Sequence, residues 1–314
     1  MLRHKDGTLN GIEVEVLKDK LGTRALPTAQ LMLTGVQAKL VGEKGRGVKT
    51  IATLFNITRI YNTVSAVSYL RRAHSLSKAY SSQREAFGKK IENHLLHQKS
   101  LRELEIAYQS NTMLALFLSR LLGREECNTA SVSEKSLLRL LTPVAKLYTA
   151  KQAIKYASEH IEMFGGIGYL EDSGIPAMLR DVQTLSIWEG TTNVLSLDML
   201  RAAEKESGLE AFKEFAYKLL AEITSPELVK QKEVVQQRID ILFGFIENLK
   251  SHDAMIAASR DIAFYIAETA IAILWLDFLK KNGPKANYLN TLDYWIQYKM
   301  NESSLHASEI LNLA

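Results

Sequence analysis

Proline is scarce in this 314-residue chain, and that scarcity constrains its fold more than any other sequence feature. The five prolines are Pro27, Pro143, Pro176, Pro226 and Pro284. Proline removes a backbone donor and clashes with the preceding helical turn, so a chain with few prolines can form long helices. The patterns after residue 47 predict helices over roughly 48–84, 92–122, 132–164 and 178–205, and shorter ones near 208–222, 226–250, 253–281 and 287–312.

Residue types also mark where particular helices begin and end. Ser225 followed by Pro226 predicts a helix start, because serine caps the first turn and proline is tolerated there. Gly283-Pro284 after two lysines predicts a helix end. Residues 123–132 are polar and predict a loop between two helices.

The first forty residues differ from the rest, because short strand patterns replace the helical ones. Residues 12–17 alternate apolar and polar side chains, as a half-buried strand does. Residues 31–34 and 38–41 are further strand candidates. A sheet of so few strands has open edges. We therefore expect the first forty residues to be the end of a β-domain whose beginning is absent. The chain is then either a fragment or completed by a separate polypeptide.

Composition indicates an ordinary globular protein, with 46% hydrophobic and 24% charged residues. The single cysteine, Cys127, excludes an internal disulfide, suits a reducing compartment and is expected to be structural. No apolar run reaches the roughly 18–20 residues that a membrane-spanning helix needs. The N-terminus lacks the apolar segment of a secretory signal. We therefore expect a cytoplasmic protein without a membrane span.

Two motifs near helix ends have residue types suited to phosphate or a flat cofactor. Arg84, in the run Arg-Glu-Ala-Phe-Gly-Lys, offers a planar donor fork, although it is equally explained as a solvated helix end. Gly165 and Gly166 allow close backbone approach, or they simply end a helix. His94 and His97 have no third ligand at suitable spacing, so no metal site is predicted.

Glu189 is the strongest catalytic candidate in the sequence. It follows Ile187 and Trp188 and precedes Gly190. A carboxylate held among apolar side chains becomes a stronger base and can remove a weakly acidic C–H proton. The alternative is a helix start in which Thr191 or the next threonine is the cap, and both interpretations can hold together.

The order of these motifs is typical of one enzyme family. The relevant motifs are Arg-x-x-Phe-Gly-Lys at 84–89, His97-Gln98, Gly-Gly-x-Gly at 165–168, Arg180-Asp181, and Ile-Trp-Glu-Gly-Thr at 187–191. Over residues 10–205 the chain resembles the C-terminal part of the acyl-CoA dehydrogenases. Trp188 in place of the commoner tyrosine, Glu162 before the glycines, and the additional C-terminal helices resemble the AidB-like branch.

The resemblance implies a mainly α fold: the C-terminal part of a β-domain over 1–46, an acyl-CoA dehydrogenase-type four-helix bundle over 47–205, and an additional helical region over 206–314. It implies FAD bound at subunit interfaces of a homo-oligomer, either a dimer or a dimer of dimers. It also implies an acyl-CoA substrate and an electron acceptor such as an electron-transfer flavoprotein. Without the N-terminal domains of that family, the chain alone is expected to bind FAD poorly and to be inactive.

The resemblance also implies residue roles. Glu189 corresponds to the base that takes the substrate α-proton while the β-hydrogen leaves as hydride to the flavin. Arg59 corresponds to an arginine at the base of the acyl pocket. The residues that correspond to FAD contacts are Arg84, Gln98, Gly165, Gly166, Thr191 and Asn193. Glu162 replaces the usual glutamine of the family, and its carboxylate repels phosphate.

The AidB-like branch raises a second class of function: a flavoprotein with an acyl-binding, regulatory or DNA-protective role and little turnover. DNA binding requires clustered Lys and Arg to neutralise phosphates. Residues 201–314 carry 13 Lys and Arg against 16 Asp and Glu, whereas residues 1–200 carry 26 against 19. This acidic C-terminal part makes DNA an unexpected partner.

Overall fold

The computed structural model describes residues 3–249, 251–302 and 304–305, most of them in helices. The strands are β1 (Ile12–Leu17), β2 (Ala29–Leu33), β3 (Glu85–Ala86) and β4 (Lys89–Lys90). The helices are α1 (Gly47–Gln83), α2 (Leu95–Glu126), α3 (Val132–Phe164), α4 (Ile175–Gln183), α5 (Thr192–Lys205), α6 (Gly208–Ala221), α7 (Val229–Asn248), α8 (His252–Asn282) and α9 (Ala286–Tyr294).

Several predicted helix boundaries are confirmed. A short 3-10 turn at Pro226–Leu228 leads into α7, and α8 ends just before Gly283, which has a φ of 78°. Ser131 starts α3 with a capping box, in which its side chain and that of Glu134 each accept from the other residue's backbone N–H. Pro143 lies inside α3 without ending it, because the surrounding helix is buried and packs against α1, α2, α4, α5, α6 and α8.

Four predictions of local structure are wrong. The helix predicted near 287–312 ends earlier, since α9 ends at Tyr294 and the π-helical turn after it ends at Lys299, and residues 303 and 306–312 of that prediction lie outside the described residues. The helix predicted over 178–205 is interrupted, because Glu189 and Gly190 both take a positive φ that a right-handed helix cannot include. Residues 38–41 form no strand, since β1 pairs only with β2 in a two-stranded antiparallel sheet. The loop predicted from residue 123 begins later, because the polar residues up to Glu126 continue α2.

The larger hydrophobic core joins the long helices to the C-terminal ones. Its largest buried side chains include Tyr148 of α3, Phe212 of α6 and Trp275 of α8. The indole of Trp275 donates to Ser110 Oγ of α2 at 3.0 Å. A smaller core fills the space between α1, α2 and α3. The predicted domain boundaries at 46/47 and 205/206 stay predictions.

Helix α8 is the one described helix whose length and apolar composition would allow it to cross a membrane. However, 83% of its most apolar 18-residue window is buried inside the protein. A core helix has the same properties, and α8 packs against α2, α3, α5, α6 and α7. The expected cytoplasmic location stays a prediction.

The segment after β1 is attached to α4 and to the turn that follows it. Gly22 lies so close to the Arg180 carbonyl that a Cβ there would overlap it. The backbone N–H of Thr23 donates to Asp181 Oδ1 at 2.5 Å, and the Lys20 ammonium lies 5.9 Å from the Trp188 ring centroid. The N-terminal segment therefore packs beside the candidate site.

Candidate active site

Residues 187–191, called here the Glu189 turn, connect the end of α4 and its 3-10 extension to α5. Glu189 has a φ of 62° and Gly190 a φ of 108°. A Cβ at Gly190 would lie 3.1 Å from Leu195 Cδ2, so glycine suits both the conformation and the space. Thr191 occupies the predicted N-cap position of α5, but its side chain makes no capping hydrogen bond.

Two cationic side chains hold the two consecutive carbonyls of this turn. Arg59 Nε of α1 donates to the Glu189 carbonyl at 3.2 Å. Lys146 Nζ of α3 donates to the Gly190 carbonyl at 2.6 Å. A charged donor strengthens a hydrogen bond, so both contacts fix the positive-φ backbone on the four-helix bundle.

Asp198 of α5 holds Arg59 in place. Its Oδ2 accepts from Arg59 Nη1 at 2.6 Å, and its Oδ1 accepts from Arg139 Nη2 at 2.7 Å. Burial raises the pKa of the Asp198 carboxyl, but the hydrogen bonds and charges of Arg139 and Arg59 outweigh it and leave the pKa lowered. Asp198 is therefore an anion that orients two arginines. The Arg59 side chain is only 13% exposed, so its contacts in this chain are with the turn and Asp198.

Lys146 is fully buried, with none of its surface exposed. Burial, reinforced by the nearby Arg59 charge and opposed by the Glu189 carboxylate, lowers the pKa of its ammonium to about 8. With a pKa near 8, the Lys146 ammonium still carries its charge at neutral pH.

The Glu189 carboxylate is half-buried beside these cations. Its Oε2 is inaccessible to solvent and has no hydrogen-bond partner within the described residues. Buried polar atoms are normally paired, so an unpartnered carboxylate oxygen is unusual and often functional. Such an oxygen is available to accept a proton from a bound molecule.

A second group of predicted residues lies at the opposite end of α1. Arg84, Gly165 and Gly166 line a groove of about 800 Å³ together with Phe87, His97 and other side chains. Phe87 and Gly88 form the two-residue turn of the β3–β4 hairpin, both with positive φ, and Phe87 is 97% exposed. Arg84 is exposed, and its guanidinium makes no hydrogen bond or ion pair within the described part of the chain.

The remaining predicted cofactor contacts occupy two places. Gln98 is exposed at the start of α2, but its amide donates to the Glu92 carbonyl at 2.8 Å, outside the groove. Asn193 is exposed in the first turn of α5, where its Oδ1 accepts from Arg260 at 3.2 Å. Glu162 lines the groove beside Gly165, so a carboxylate faces the same space as Arg84.

Within one chain, the groove and the Glu189 turn are far apart. Arg59 contacts the turn, and Arg84 follows the last residue of the same helix. At 1.5 Å per residue, those 25 positions span roughly 37 Å. The structure therefore brings Thr191 and Asn193 near Glu189, and Gly165 and Gly166 near Arg84, as two separate groups.

Lys146, Asp198 and Arg139 were not predicted from the sequence as site residues. Lys146 had a detectable signal, because it is the one charged residue within the apolar run at 140–150. Asp198 had no comparable signal, because its partners lie 139 and 59 residues away. Among the described residues, no three His, Cys, Asp or Glu side chains are grouped to hold a metal.

Comparison with known proteins places this fold and turn in one family. The family model for the acyl-CoA dehydrogenase C-terminal domain matches residues 45–204, which is half of the chain. The chain belongs to the acyl-CoA dehydrogenase family, as the motifs predicted. It is similar to acyl-CoA dehydrogenase family member 11 of Caenorhabditis elegans, with 43% identity over 308 residues. It is also similar to the putative acyl-CoA dehydrogenase AidB of Escherichia coli, with 33% identity over 204 residues.

Solved structures confirm the predicted fold class. The crystal structure of C. elegans ACDH-11 in complex with C11-CoA matches with a TM-score of 0.92 and 38% identity, over 99% of this chain and 55% of that one. The Bd2924 apo-form matches with a TM-score of 0.76 and 46% identity, over 88% of this chain and 52% of that one. The two sequence matches cover 95% and 65% of this chain, but only 49% of the C. elegans protein and 37% of AidB.

Proposed function

We propose that this chain is the part of an FAD-dependent acyl-CoA dehydrogenase that contains its catalytic base, Glu189. The reaction is the oxidation of a fatty acyl thioester between Cα and Cβ. The observation that carries the proposal is the Glu189 turn, in which a carboxylate oxygen is buried without a partner and the adjacent carbonyls are held by Arg59 and Lys146. Family membership supports the same reaction class.

The chemistry assigned to this chain is the removal of one proton. The Glu189 carboxylate accepts the proton from Cα of the thioester, and the electron pair left on Cα forms the new double bond as the β-hydrogen departs. Burial of Oε2 keeps water away from this oxygen. Arg59 holds the Glu189 carbonyl and so keeps the backbone of the base in its positive-φ conformation.

FAD, when bound, accepts the β-hydrogen with its electron pair. Arg84, Gly165 and Gly166 fit the phosphate and adenosine side of this cofactor, because the guanidinium is free for an anion and a Cβ on either glycine would meet only open space. We assign Thr191 and Asn193 to the cofactor near the base, and Gln98 to the adenosine side after its amide leaves Glu92.

We further propose that the complete site forms between two copies of the protein. Arg84 and Glu189 lie at opposite ends of α1 within one chain, so one cofactor can contact both groups only if Arg84 comes from another copy. Exposed apolar residues support such contacts, since large exposed apolar surfaces mark interaction sites. They include Leu95, Leu96, Phe87 and Tyr169 near the groove. A dimer or a dimer of dimers satisfies this requirement.

The proposed substrate is an acyl-CoA, and the proposed electron acceptor is a protein such as an electron-transfer flavoprotein. The solved C. elegans ACDH-11 structure contains C11-CoA, which supports an acyl thioester of medium length for the present protein. The length of the acyl chain is therefore varied in the experiment that tests the proposal.

The test is anaerobic reduction of the flavin in the full-length protein by acyl-CoAs of increasing chain length. Absorbance of the oxidised flavin should fall on mixing with a suitable acyl-CoA. In Glu189→Gln, which keeps the side-chain volume, the flavin should stay bound but its reduction should slow by at least about a hundred-fold, because a general base contributes 10²–10⁴-fold. Glu233→Gln is the matched control, since it makes the same chemical change at an exposed position on α7.

Two outcomes would contradict the proposal. Unchanged reduction in Glu189→Gln would place the base elsewhere. Tight binding of acyl-CoA without reduction at any chain length would instead support the acyl-binding flavoprotein of the AidB-like type. Retention on DNA that declines steeply with salt would favour the DNA-protective role.

A further inference from the structure

We propose that Lys146 is a positioning residue for the base: its buried ammonium donates to the Gly190 carbonyl, near the Glu189 carboxylate, and so holds the turn in the conformation that proton abstraction needs. This inference rests on the proposed role of Glu189. Lys146 itself does not touch the substrate in this account, and it acts only through the turn.

The position of Lys146 in the fold is the first step of the argument. It lies midway along α3, where the neighbouring residues Val144, Ala145 and Leu147 are all buried and apolar. Among the described residues, its ammonium donates one hydrogen bond, to the Gly190 carbonyl at 2.6 Å. A buried ammonium with a single acceptor is costly, so apolar packing alone does not explain a lysine here.

The second step compares the anionic partners of the two cations that hold the turn, Arg59 and Lys146. Arg59 forms an ion pair at 2.6 Å with Asp198, a carboxylate that it shares with Arg139. Lys146 has no carboxylate within salt-bridge distance among the described residues, and the nearby anion is the carboxylate of Glu189. Arg59 therefore has an ion-pair partner in α5, whereas the anion that favours the charged form of Lys146 is Glu189 itself.

The third step concerns pH. The charged groups that face Lys146 are Arg59 from α1 and Glu189 from the turn, with Asp198 of α5 behind Arg59. Because burial brings the pKa of Lys146 to about 8, the ammonium loses its proton just above neutral pH. The Gly190 carbonyl then loses its charged donor, and the hydrogen bond that holds the turn weakens.

The kinetic test compares flavin reduction in the full-length wild-type protein, Lys146→Met and Lys146→Arg between pH 6 and 10. Lys146→Met should reduce flavin about ten- to a hundred-fold more slowly at pH 7, because small displacements of a reacting group cost up to 10²-fold. The wild-type rate should fall above pH 8, and Lys146→Arg should lack this fall, since guanidinium stays charged. Lys151→Met removes a lysine from the same helix and is the matched control.

A second measurement requires no turnover and no cofactor. In protein labelled with ¹³C at lysine Cε, the resonance absent from Lys146→Met identifies Lys146. Its titration midpoint should lie near pH 8 in the wild type and lower in Glu189→Gln, because the carboxylate that favours the ammonium is gone. This variant separates coupling between the two residues from a general effect on folding.

The outcomes distinguish the inference from the proposed function. Equal titration of Lys146 in the wild type and Glu189→Gln would overturn the inference, as would wild-type rates and pH dependence in Lys146→Met. Normal flavin reduction in Glu189→Gln, or none in the wild type, would overturn the proposed function, whereas the titration would still show whether the pair is coupled. If Lys146→Arg does not fold, Lys146→Met and the titration decide the matter.

Discussion

The burial of Lys146 predicts a protein that becomes more stable, relative to its Lys146→Met variant, as the pH rises. The pKa of this ammonium is depressed from its usual 10.5 to about 8 in the folded protein. Between those values the unfolded state binds more protons than the folded state, so stability increases with pH. At 1.36 kcal/mol per pH unit, the charged lysine costs the fold up to about 3 kcal/mol below pH 8.

Replacement by methionine removes this cost and also removes the charged hydrogen bond to the Gly190 carbonyl. That bond stabilises by about 1.5–3 kcal/mol, so the two effects nearly cancel at pH 7. The cancellation ends as the pH rises past 8, because the buried lysine becomes neutral whereas the same lysine in the unfolded chain stays largely charged up to about pH 10. From pH 7 to pH 10 the wild type should therefore gain about 2–3 kcal/mol relative to the variant.

Reversible urea unfolding at both pH values measures this gain. Groups common to both proteins cancel in the difference, and Lys151→Met reports the effect of removing one charge from α3. A stability difference between the wild type and Lys146→Met that stays constant from pH 7 to 10 would refute the reasoning, because the ammonium would then titrate alike in the folded and unfolded states.

Three other substitutions have defined consequences. Asp198→Asn should lower the free energy of unfolding at pH 7 by about 2–4 kcal/mol in urea titrations, because Arg59 and Arg139 lose a buried anion. This deficit should shrink as the pH falls below 3.8, the pKa of the unfolded carboxyl, and should vanish only below the lowered pKa of the folded one. Gly190→Ala should cost about 1–3 kcal/mol and slow flavin reduction, since alanine is strained at a φ of 108°. Arg84→Gln should weaken FAD binding about ten- to a hundred-fold by fluorescence titration, with unfolding of the apoprotein unchanged.

The sequence was sufficient to predict the elements that depend on local signals. The scarcity of proline predicted long helices, and α3 appears over 132–164 as expected. Gly283 ends α8 because a glycine adopts the positive φ needed there. The motif order predicted the family, since Glu189 and the glycines at 165–166 occur in a characteristic succession.

What sequence reasoning missed depends on residues brought together from distant positions. The interruption at Glu189 was hidden because periodic apolar residues continue through it, and the positive φ is held by Arg59 and Lys146 from two other helices. The ion pair of Asp198 likewise joins α1 to α5 across 139 residues. No local pattern encodes such contacts. The hydrogen bonds from Arg59 and Lys146 to the Glu189 turn could therefore be found only in the folded structure.

The most direct test of the central claim follows the α-hydrogen itself. The full-length flavoprotein, incubated anaerobically in D₂O with an acyl-CoA, should exchange deuterium into Cα, as measured by mass spectrometry of the recovered thioester. Glu233→Gln should exchange at the wild-type rate, whereas Glu189→Gln should exchange at least about a hundred-fold more slowly. Exchange that continues at the wild-type rate in Glu189→Gln would contradict the assignment of Glu189 as the base.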